Sequence, residues 1–245
     1  MEEFKFRSNQ VILQGDTHST SVTYDIIGTR VANGSDYVHL GDIGLGFGDV
    51  SYAVDNAKSI LDRINKLCQS LDINCYFIRG NHDATYDSIW LSEWSNIKLI
   101  KDHAYAVFPN GKRVLMFGGG ISLDRCDRQP NKDYWWDENT IPIDDVEKCD
   151  IIFSHDCPEQ FNHSSHTIPT HWKFYNDKDH TLYSDCVNQR DIVGYIVKRS
   201  EATTIFYGHF HNNMTQQIDG VYARCVDINE LYFFDADKKY GKRSP

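Results

Sequence analysis

No stretch of this 245-residue chain holds the roughly 18 consecutive apolar residues that a membrane-crossing helix needs, and its mean hydropathy is −0.52. Residues 1–5 (Met-Glu-Glu-Phe-Lys) are acidic and lack the apolar stretch of a signal peptide. Cys-x-x-Cys is absent, and the seven cysteines are odd in number and scattered. That pattern argues for a reducing compartment over a disulfide scaffold, so the expected location is cytoplasmic. Basic charge is also short, with 25 Lys and Arg against 35 Asp and Glu. A net charge of −10 argues against general nucleic-acid binding, which depends on neutralising phosphates with Lys and Arg. Internal repeats and low-complexity linkers are missing as well. A chain of this length suffices for one sizeable domain with a full core.

Several apolar runs end in residues with side-chain oxygen or nitrogen. Val11-Ile12-Leu13 leads into Asp16-Thr17-His18, and Tyr37-Val38-His39-Leu40 into Gly41-Asp42. Cys75-Tyr76-Phe77-Ile78 leads through Arg79 into Gly80-Asn81-His82-Asp83. Ile151-Ile152-Phe153 leads into His155-Asp156, and Thr204-Ile205-Phe206-Tyr207 into Gly208-His209-Phe210-His211. Each run reads as a buried strand, and α/β proteins gather their chemistry at the carboxyl ends of such strands.

Between these runs the periodicity predicts a helix over 51–71, with Val54, Ala57, Ile60, Leu61, Ile64, Leu67, Cys68 and Leu71 on one face. It joins two of the strands as a parallel βαβ unit. A second helix is expected over 184–199, capped by Ser184, with Val187, Ile192, Ile196 and Val197 facing inward. Residues 113–118 read as a further strand ending in Gly118-Gly119-Gly120. Residues 214–218 and 221–226 flank Asp219-Gly220, a hairpin signal, and 231–234 form a last strand. The α/β class follows, as one mixed sheet or two packed sheets covered by helices. One domain is expected over 1–237, with irregular insertions near 122–145 and 157–183 and a basic, frayed tail at 238–245.

Asp16, His18, Asp42, Asn81, His155, His209 and His211 offer only oxygen and nitrogen donors, which suits Mn²⁺, Fe or Zn²⁺. Seven are too many for one tetrahedral ion but fit two ions sharing a carboxylate, with Asp42 the natural bridge. Two ions about 3.5–4 Å apart can hold a hydroxide and grip a phosphoryl oxygen from both sides.

The ordered blocks Asp-x-His, Gly-Asp, Gly-Asn-His-Asp, His and Gly-His-x-His resemble those of the calcineurin-like metallophosphoesterases, over about residues 11–211. The resemblance implies a four-layer αββα sandwich of two mixed sheets with two divalent metals, Mn²⁺ foremost, at the strand ends. Carried over by position, Asp16, His18, Asp42 and His211 would hold one metal, and Asp42, Asn81, His155 and His209 the other. His82 resembles the catalytic histidine, which protonates the leaving alkoxide or braces the phosphate, and Asp83 would orient it. Arg79 and Asn81 would contact the phosphate, Arg79 as a fork.

The implied reaction is phosphomonoester hydrolysis, with phosphoserine or phosphothreonine in proteins among the substrates. The alternative is a phosphodiesterase acting on nucleotides, and a non-catalytic scaffold ranks below both. Arg125, Arg128, Tyr134, Trp135 and Trp136 suggest either a substrate collar or a loop pinned by Trp burial. The glycines at 41–48 suggest a flexible rim rather than a dinucleotide loop. His163, His166 and His171 read as loop histidines rather than a zinc site, His39 as a core residue, and Cys157 as lacking the base a nucleophile needs.

Overall fold

The computed structural model describes residues 3–46, 50–130, 132–133, 135, 137–140, 142–161 and 168–241, without the side chains of 50–52 and 168–172. Five strands form one sheet: β2 (Gln10–Gln14), β3 (Asp36–His39), β4 (Asn74–Ile78), β5 (Ile97–Ile100) and β12 (Leu231–Asp235). Their order is β12-β2-β3-β4-β5, and only the β12–β2 pair is antiparallel. Seven strands form the other: β1 (Glu3–Lys5), β6 (His103–Val107), β7 (Arg113–Phe117), β8 (Ile151–Ser154), β9 (Thr204–Tyr207), β10 (Thr215–Ile218) and β11 (Val221–Cys225). They run in the order β1-β6-β7-β8-β9-β11-β10, and β7, β8 and β9 are mutually parallel.

Strand side chains alternate between faces, so each buried strand feeds two cores. Leu13, Val38, Tyr76 and Ile78 of the small sheet meet Val114, Met116, Ile151, Phe153 and Phe206 of the large one. On the opposite face Ile12, Tyr37, Cys75 and Phe77 pack against α1 (Thr20–Arg30) and α2 (Val50–Leu71) through Ile26, Ile27, Leu61, Ile64 and Cys68. Leu115, Ile152, Ile205 and Tyr207 pack outward on Val193, Ile196 and Val197 of α5 (Leu182–Ser200). Helix, sheet, sheet and helix are thus stacked as expected, and both sheets are mixed.

The apolar face of α2 matches its periodicity. Helix α5 starts earlier than expected: Thr181 holds the cap position, and Ser184 lies inside the first turn with its hydroxyl donating to the Thr181 carbonyl at 2.8 Å. In the hairpin both Asp219 and Gly220 have positive φ, 52° and 82°, as the tight turn between antiparallel β10 and β11 demands. Two expectations fail. A helix, α4 (Ile168–Lys178), lies within the stretch read as irregular, since its mostly polar sequence shows no clear apolar face. The tail is not frayed from residue 238, because the Tyr240 ring stacks on Phe234 at 5.2 Å and 10°. Residues 242–245 are outside the described residues.

Candidate metal centre

The carboxyl ends of β2, β3 and β4 in one sheet and β8 and β9 in the other converge on one cluster. Asp16 and His18 follow β2, Asp42 follows β3, Asn81 and His82 follow β4, His155 follows β8, and His209 and His211 follow β9. Eight non-glycine residues have positive φ among the described residues, and four of them are His18, Asp42, His209 and His211. Such backbone is sparsely populated and persists where surrounding structure enforces it, characteristically at functional sites. Here the turns are enforced by side chains from neighbouring strands. His209 N–H donates to Asp16 Oδ1 at 2.9 Å, and His82 N–H to Asp42 Oδ1 at 2.7 Å. Gly41 sits at φ 102° with the His155 ring against its Cα, where a methyl group would overlap the imidazole.

Among the described residues, metal-capable donor atoms lie within 4.8 Å of one another inside each of three groups: Asp16, His18 and His211; Asp42, His155 and His209; and His18, Asp42 and His82. The first two reproduce the partition carried over from the sequence, less Asp42 in one and Asn81 in the other. The third brings His82 into the same neighbourhood, with Nε2 3.9 Å from Asp42 Oδ2.

The hydrogen bonds argue that this set fits cations. His155 Nδ1 lies 2.8 Å from the Leu40 carbonyl, which can only accept, so the proton sits on Nδ1. Nε2 then turns a lone pair toward Asn81 Oδ1 at 2.8 Å and Asp42 Oδ1 at 3.4 Å. The amide orientation of Asn81 is fixed by its Nδ2 donating to Ser122 Oγ at 2.9 Å. Burial lowers the pKa of His155, which disfavours relief of these facing lone pairs by a second ring proton. A cation would relieve them, and a histidine whose other nitrogen donates to a backbone carbonyl is the usual metal-ligand arrangement. His18 Nε2 and His211 Nε2 also face each other at 2.8 Å, beside Asp16 Oδ2 at 3.8 and 3.0 Å. Burial and then the neighbouring Asp16 and Asp83 carboxylates push the Asp42 carboxyl well above the usual carboxylate range. Every donor is a carboxylate, amide or imidazole, a hard-to-intermediate set suited to Mn²⁺, Fe or Zn²⁺.

Two residues take places other than those expected. Arg79 is 1% exposed, and its Nε, Nη1 and Nη2 donate to the carbonyls of Lys101, Glu138 and Asn139 at 3.1, 2.8 and 3.0 Å. The guanidinium holds backbone together and does not open onto the cluster. Asp83 accepts from the amides of Ile43, Gly44, Leu45 and Gly80 at 3.3, 2.8, 2.9 and 2.9 Å. Four N–H groups fill its lone pairs, so it ties the Asp42 loop to the Asn81 turn instead of orienting the His82 ring.

Of the two readings of the segment after β7, a substrate collar or a loop pinned by Trp burial, the structure bears on the second. Trp135 is buried against Tyr86 in the outer core of the small sheet, which removes it as a stacking surface. Arg125 pairs with Asp179 and Asp185, both at 2.6 Å. Arg128 points the other way, with Nη2 2.9 Å from His82 Nε2. Tyr134, Trp136, His163 and His166 are outside the described residues, as is the side chain of His171 and residues 47–49 of the glycine rim. His39 is fully buried, its Nε2 3.2 Å from Thr17 Oγ1, and Cys157 is buried beneath the site. Ser122 and Glu138 went unnoticed in the sequence. Ser122 Oγ donates to Glu138 Oε2 at 2.7 Å while accepting from Asn81, so this buried pair holds Asn81 from behind. Nothing in a lone Ser and Glu 16 residues apart signals that contact.

Two mixed sheets with oxygen and nitrogen donors at their strand ends form a site suited to divalent metal ions. A family model described as calcineurin-like phosphoesterase matches residues 10–213, and the chain belongs to that family. It is a hydrolytic phosphoesterase, of a family that uses a dinuclear divalent metal centre. No curated protein matches the chain. Among solved structures, one is similar at 10% identity with a TM-score of 0.52, over 93% of this chain and 98% of that one. A Thermus thermophilus protein is similar at 7% identity with a TM-score of 0.49, over 93% and 98%. The phosphopantetheinyl hydrolase of Mycobacterium tuberculosis is similar at 11% identity with a TM-score of 0.41, over 93% and 90%. At 10% identity the likeness to the first of these is one of fold alone. No described helix is long and apolar enough to cross a membrane.

Proposed function

We propose that the chain hydrolyses phosphomonoesters, of proteins or of small molecules, with two divalent cations, Mn²⁺ foremost. Asp16, His18, Asp42 and His211 would hold one ion and Asp42, Asn81, His155 and His209 the other. When bound, the ions supply positive charge for the phosphoryl oxygens and a nucleophile from water at neutral pH. The observation that carries this reading is the convergence of two donor sets on either side of Asp42, His155 Nε2 facing Asn81 Oδ1 in one and His18 Nε2 facing His211 Nε2 beside Asp16 in the other.

The chain's own residues do the rest. The Asn81–Ser122–Glu138 contacts hold one donor set rigid, and Asp83 locks the Asp42 loop to the Asn81 turn. His82 stands beside Asp42 without being needed as a ligand, where it can hand a proton to the leaving alkoxide or hydrogen-bond the phosphoryl group. Its pKa is held far below the usual imidazole range, first by burial and then by the charge of Arg128. The negative charge of an arriving phosphate opposes the second of these causes. A cytoplasmic location, read from the cysteine pattern, belongs to the same proposal.

The test is hydrolysis of p-nitrophenyl phosphate, bis-p-nitrophenyl phosphate, cyclic nucleotides and phosphopeptides by the Mn²⁺-loaded protein. Monoesters should be preferred, and a chelator should abolish turnover until metal is restored. Preference for a diester over every monoester would overturn the substrate reading. Turnover that persists without metal would overturn the metal reading.

A further inference from the structure

After β7, the described residues between Gly118 and Thr140 form a strap that reaches the metal cluster. Its ends are fastened to each other and to the body. Gly119 N–H donates to the Arg79 carbonyl at 2.8 Å, and Gly120 N–H to the Glu138 carbonyl at 3.1 Å. Gly119 has φ 98°, and a side chain there would strike the backbone of Asn139 and Thr140. The Arg79 guanidinium closes the returning limb through the carbonyls of Glu138 and Asn139. Gln189 of α5 grips Thr140, accepting its N–H at 2.9 Å and donating to its hydroxyl at 2.6 Å. Trp135 is sunk into the core, and Thr85 Oγ1 donates to Asp137 at 2.6 Å. On the outer side Arg125 is bound by Asp179 and Asp185, and Lys178 by Asp127 at 2.8 Å.

This fastening fixes one further cation. Arg128 is anchored from behind by Asp124, Nε to Oδ1 at 2.7 Å, and by its Nη1 donating to the Asp133 carbonyl at 3.0 Å. Its Nη2 edge lies 2.9 Å from His82 Nε2 and 3.2 Å from Nδ1, over the ring that faces Asp42. A side chain 9% exposed, gripped at one edge and aimed with the other at the catalytic cluster, is preorganised rather than a loose surface charge. The chain carries a net charge of −10, so a phosphate dianion meets a repulsive background outside this spot.

We propose that Arg128 binds the terminal oxygens of the substrate phosphate and selects dianionic monoesters over diesters. Arg79 and Arg125 are positioning residues that hold the strap in register. The inference rests on the phosphoesterase reading above and gives it its substrate preference. A phosphomonoester presents terminal oxygens carrying two charges, which a forked guanidinium meets with two parallel hydrogen bonds. A diester has one charge and fewer free oxygens, so the same fork gains less.

The experiment compares wild type with Arg128→Ala, Arg128→Lys and Arg79→Lys as metal-loaded proteins. Turnover is measured on p-nitrophenyl phosphate and bis-p-nitrophenyl phosphate, and inorganic phosphate binding by calorimetry, with metal content assayed in parallel. Arg128→Ala should lose on the order of 10²–10³-fold in monoester kcat/KM, the usual effect of removing one positioned donor. It should lose less than about tenfold on the diester and bind inorganic phosphate at least about tenfold more weakly, with two metals retained. Added guanidinium ion should restore part of the monoester rate, and Arg128→Lys should recover only part, since a point charge cannot fork. Arg79→Lys should lower the monoester rate more than the diester rate, but by less than Arg128→Ala does, because it misplaces Arg128 without removing it. Equal losses on both substrates for Arg128→Ala, with phosphate affinity unchanged, would overturn the proposal. If the wild type cleaves neither ester, the phosphoesterase reading fails separately. Phosphate affinity still decides Arg128 in that case, since weaker binding by Arg128→Ala upholds its contact and unchanged binding refutes it.

Discussion

The metal cluster and the strap beside it both begin at the carboxyl ends of parallel strands, yet they are built on opposite principles. In the cluster, each functional side chain lies within a few residues of a buried strand end, and backbone strain at His18, Asp42, His209 and His211 aims it. Local sequence therefore announces the chemistry. In the strap, position is set by bonds to distant parts of the chain: Arg79 from β4, Gln189 from α5, and Asp179 with Asp185 beyond α4. Residue type alone says little there. Two arginines three apart, Arg125 and Arg128, face opposite ways, one holding the body and the other reaching the site. The contrast separates residues that perform chemistry from residues that decide where chemistry can reach.

The sharpest way to break the contrast is at Asp42, the carboxylate between the two donor groups. Asp42→Asn removes the charge shared by two cations, so both should bind weakly and turnover should fall to background. Metal analysis and thermal unfolding check this together. Divalent metal should raise the melting temperature of wild type by binding the folded state alone, and should raise that of the variant less. A variant that keeps two metals and full activity excludes Asp42 as the bridge.

His82 should come next. His82→Ala should retain both metals yet lose on the order of 10²–10⁴-fold in turnover, the usual scale of positioned acid–base assistance. The loss should shrink for esters of p-nitrophenol, whose leaving group needs little protonation. Equal losses for good and poor leaving groups would leave His82 only the task of bracing the phosphate.

Ser122 lies where the two regions touch, and its effect should be intermediate. Ser122→Ala removes the acceptor for Asn81 Nδ2 and leaves the buried Glu138 carboxyl without its hydroxyl donor. Groups that support metal ligands typically contribute about 10–100-fold in metal affinity or activity. The expected result is weaker binding at the Asn81 side, read by metal titration, with substrate preference unchanged. Full metal affinity in the variant would detach the strap from the cluster.

The legible part of this molecule follows the same division. Helix α2 and the hairpin of β10 and β11 are readable because their signals, a 22-residue helix with one apolar face and an Asp-Gly turn, are local. The donor residues and the stacked-sheet class are readable because apolar runs repeatedly end in the same kinds of side chain. Helix α4 stays hidden, as its 11 residues are mostly polar and give periodicity little to detect. The duties of Arg79 and Asp83 are misread for a different reason. Both adjoin the Gly80-Asn81-His82 turn, and adjacency suggests that they act on its ligand and its histidine. Each instead completes backbone hydrogen bonds whose partners lie elsewhere in the chain. A motif specifies which residues meet, while the unpaired amides and carbonyls created by the strained turns decide what the remaining side chains must do.

Arg79 then gives the smallest catalytic effect and the finest discrimination. Arg79→Met keeps an unbranched, buried chain but leaves the carbonyls of Lys101, Glu138 and Asn139 without their charged donor. Hydrogen bonds to charged groups contribute about 1.5–3 kcal/mol each, and relaxation or entering water recovers part, so a net loss of about 2–4 kcal/mol is expected. Denaturant unfolding should report that loss directly. Catalysis should fall by roughly tenfold at most on monoesters and by less on diesters, since a loosened strap misplaces Arg128 without removing it. A large and monoester-selective loss at full stability would return the phosphate contact to Arg79. A clear stability loss with only that modest catalytic effect would instead show that this arginine, although next to the catalytic turn, works on the strap.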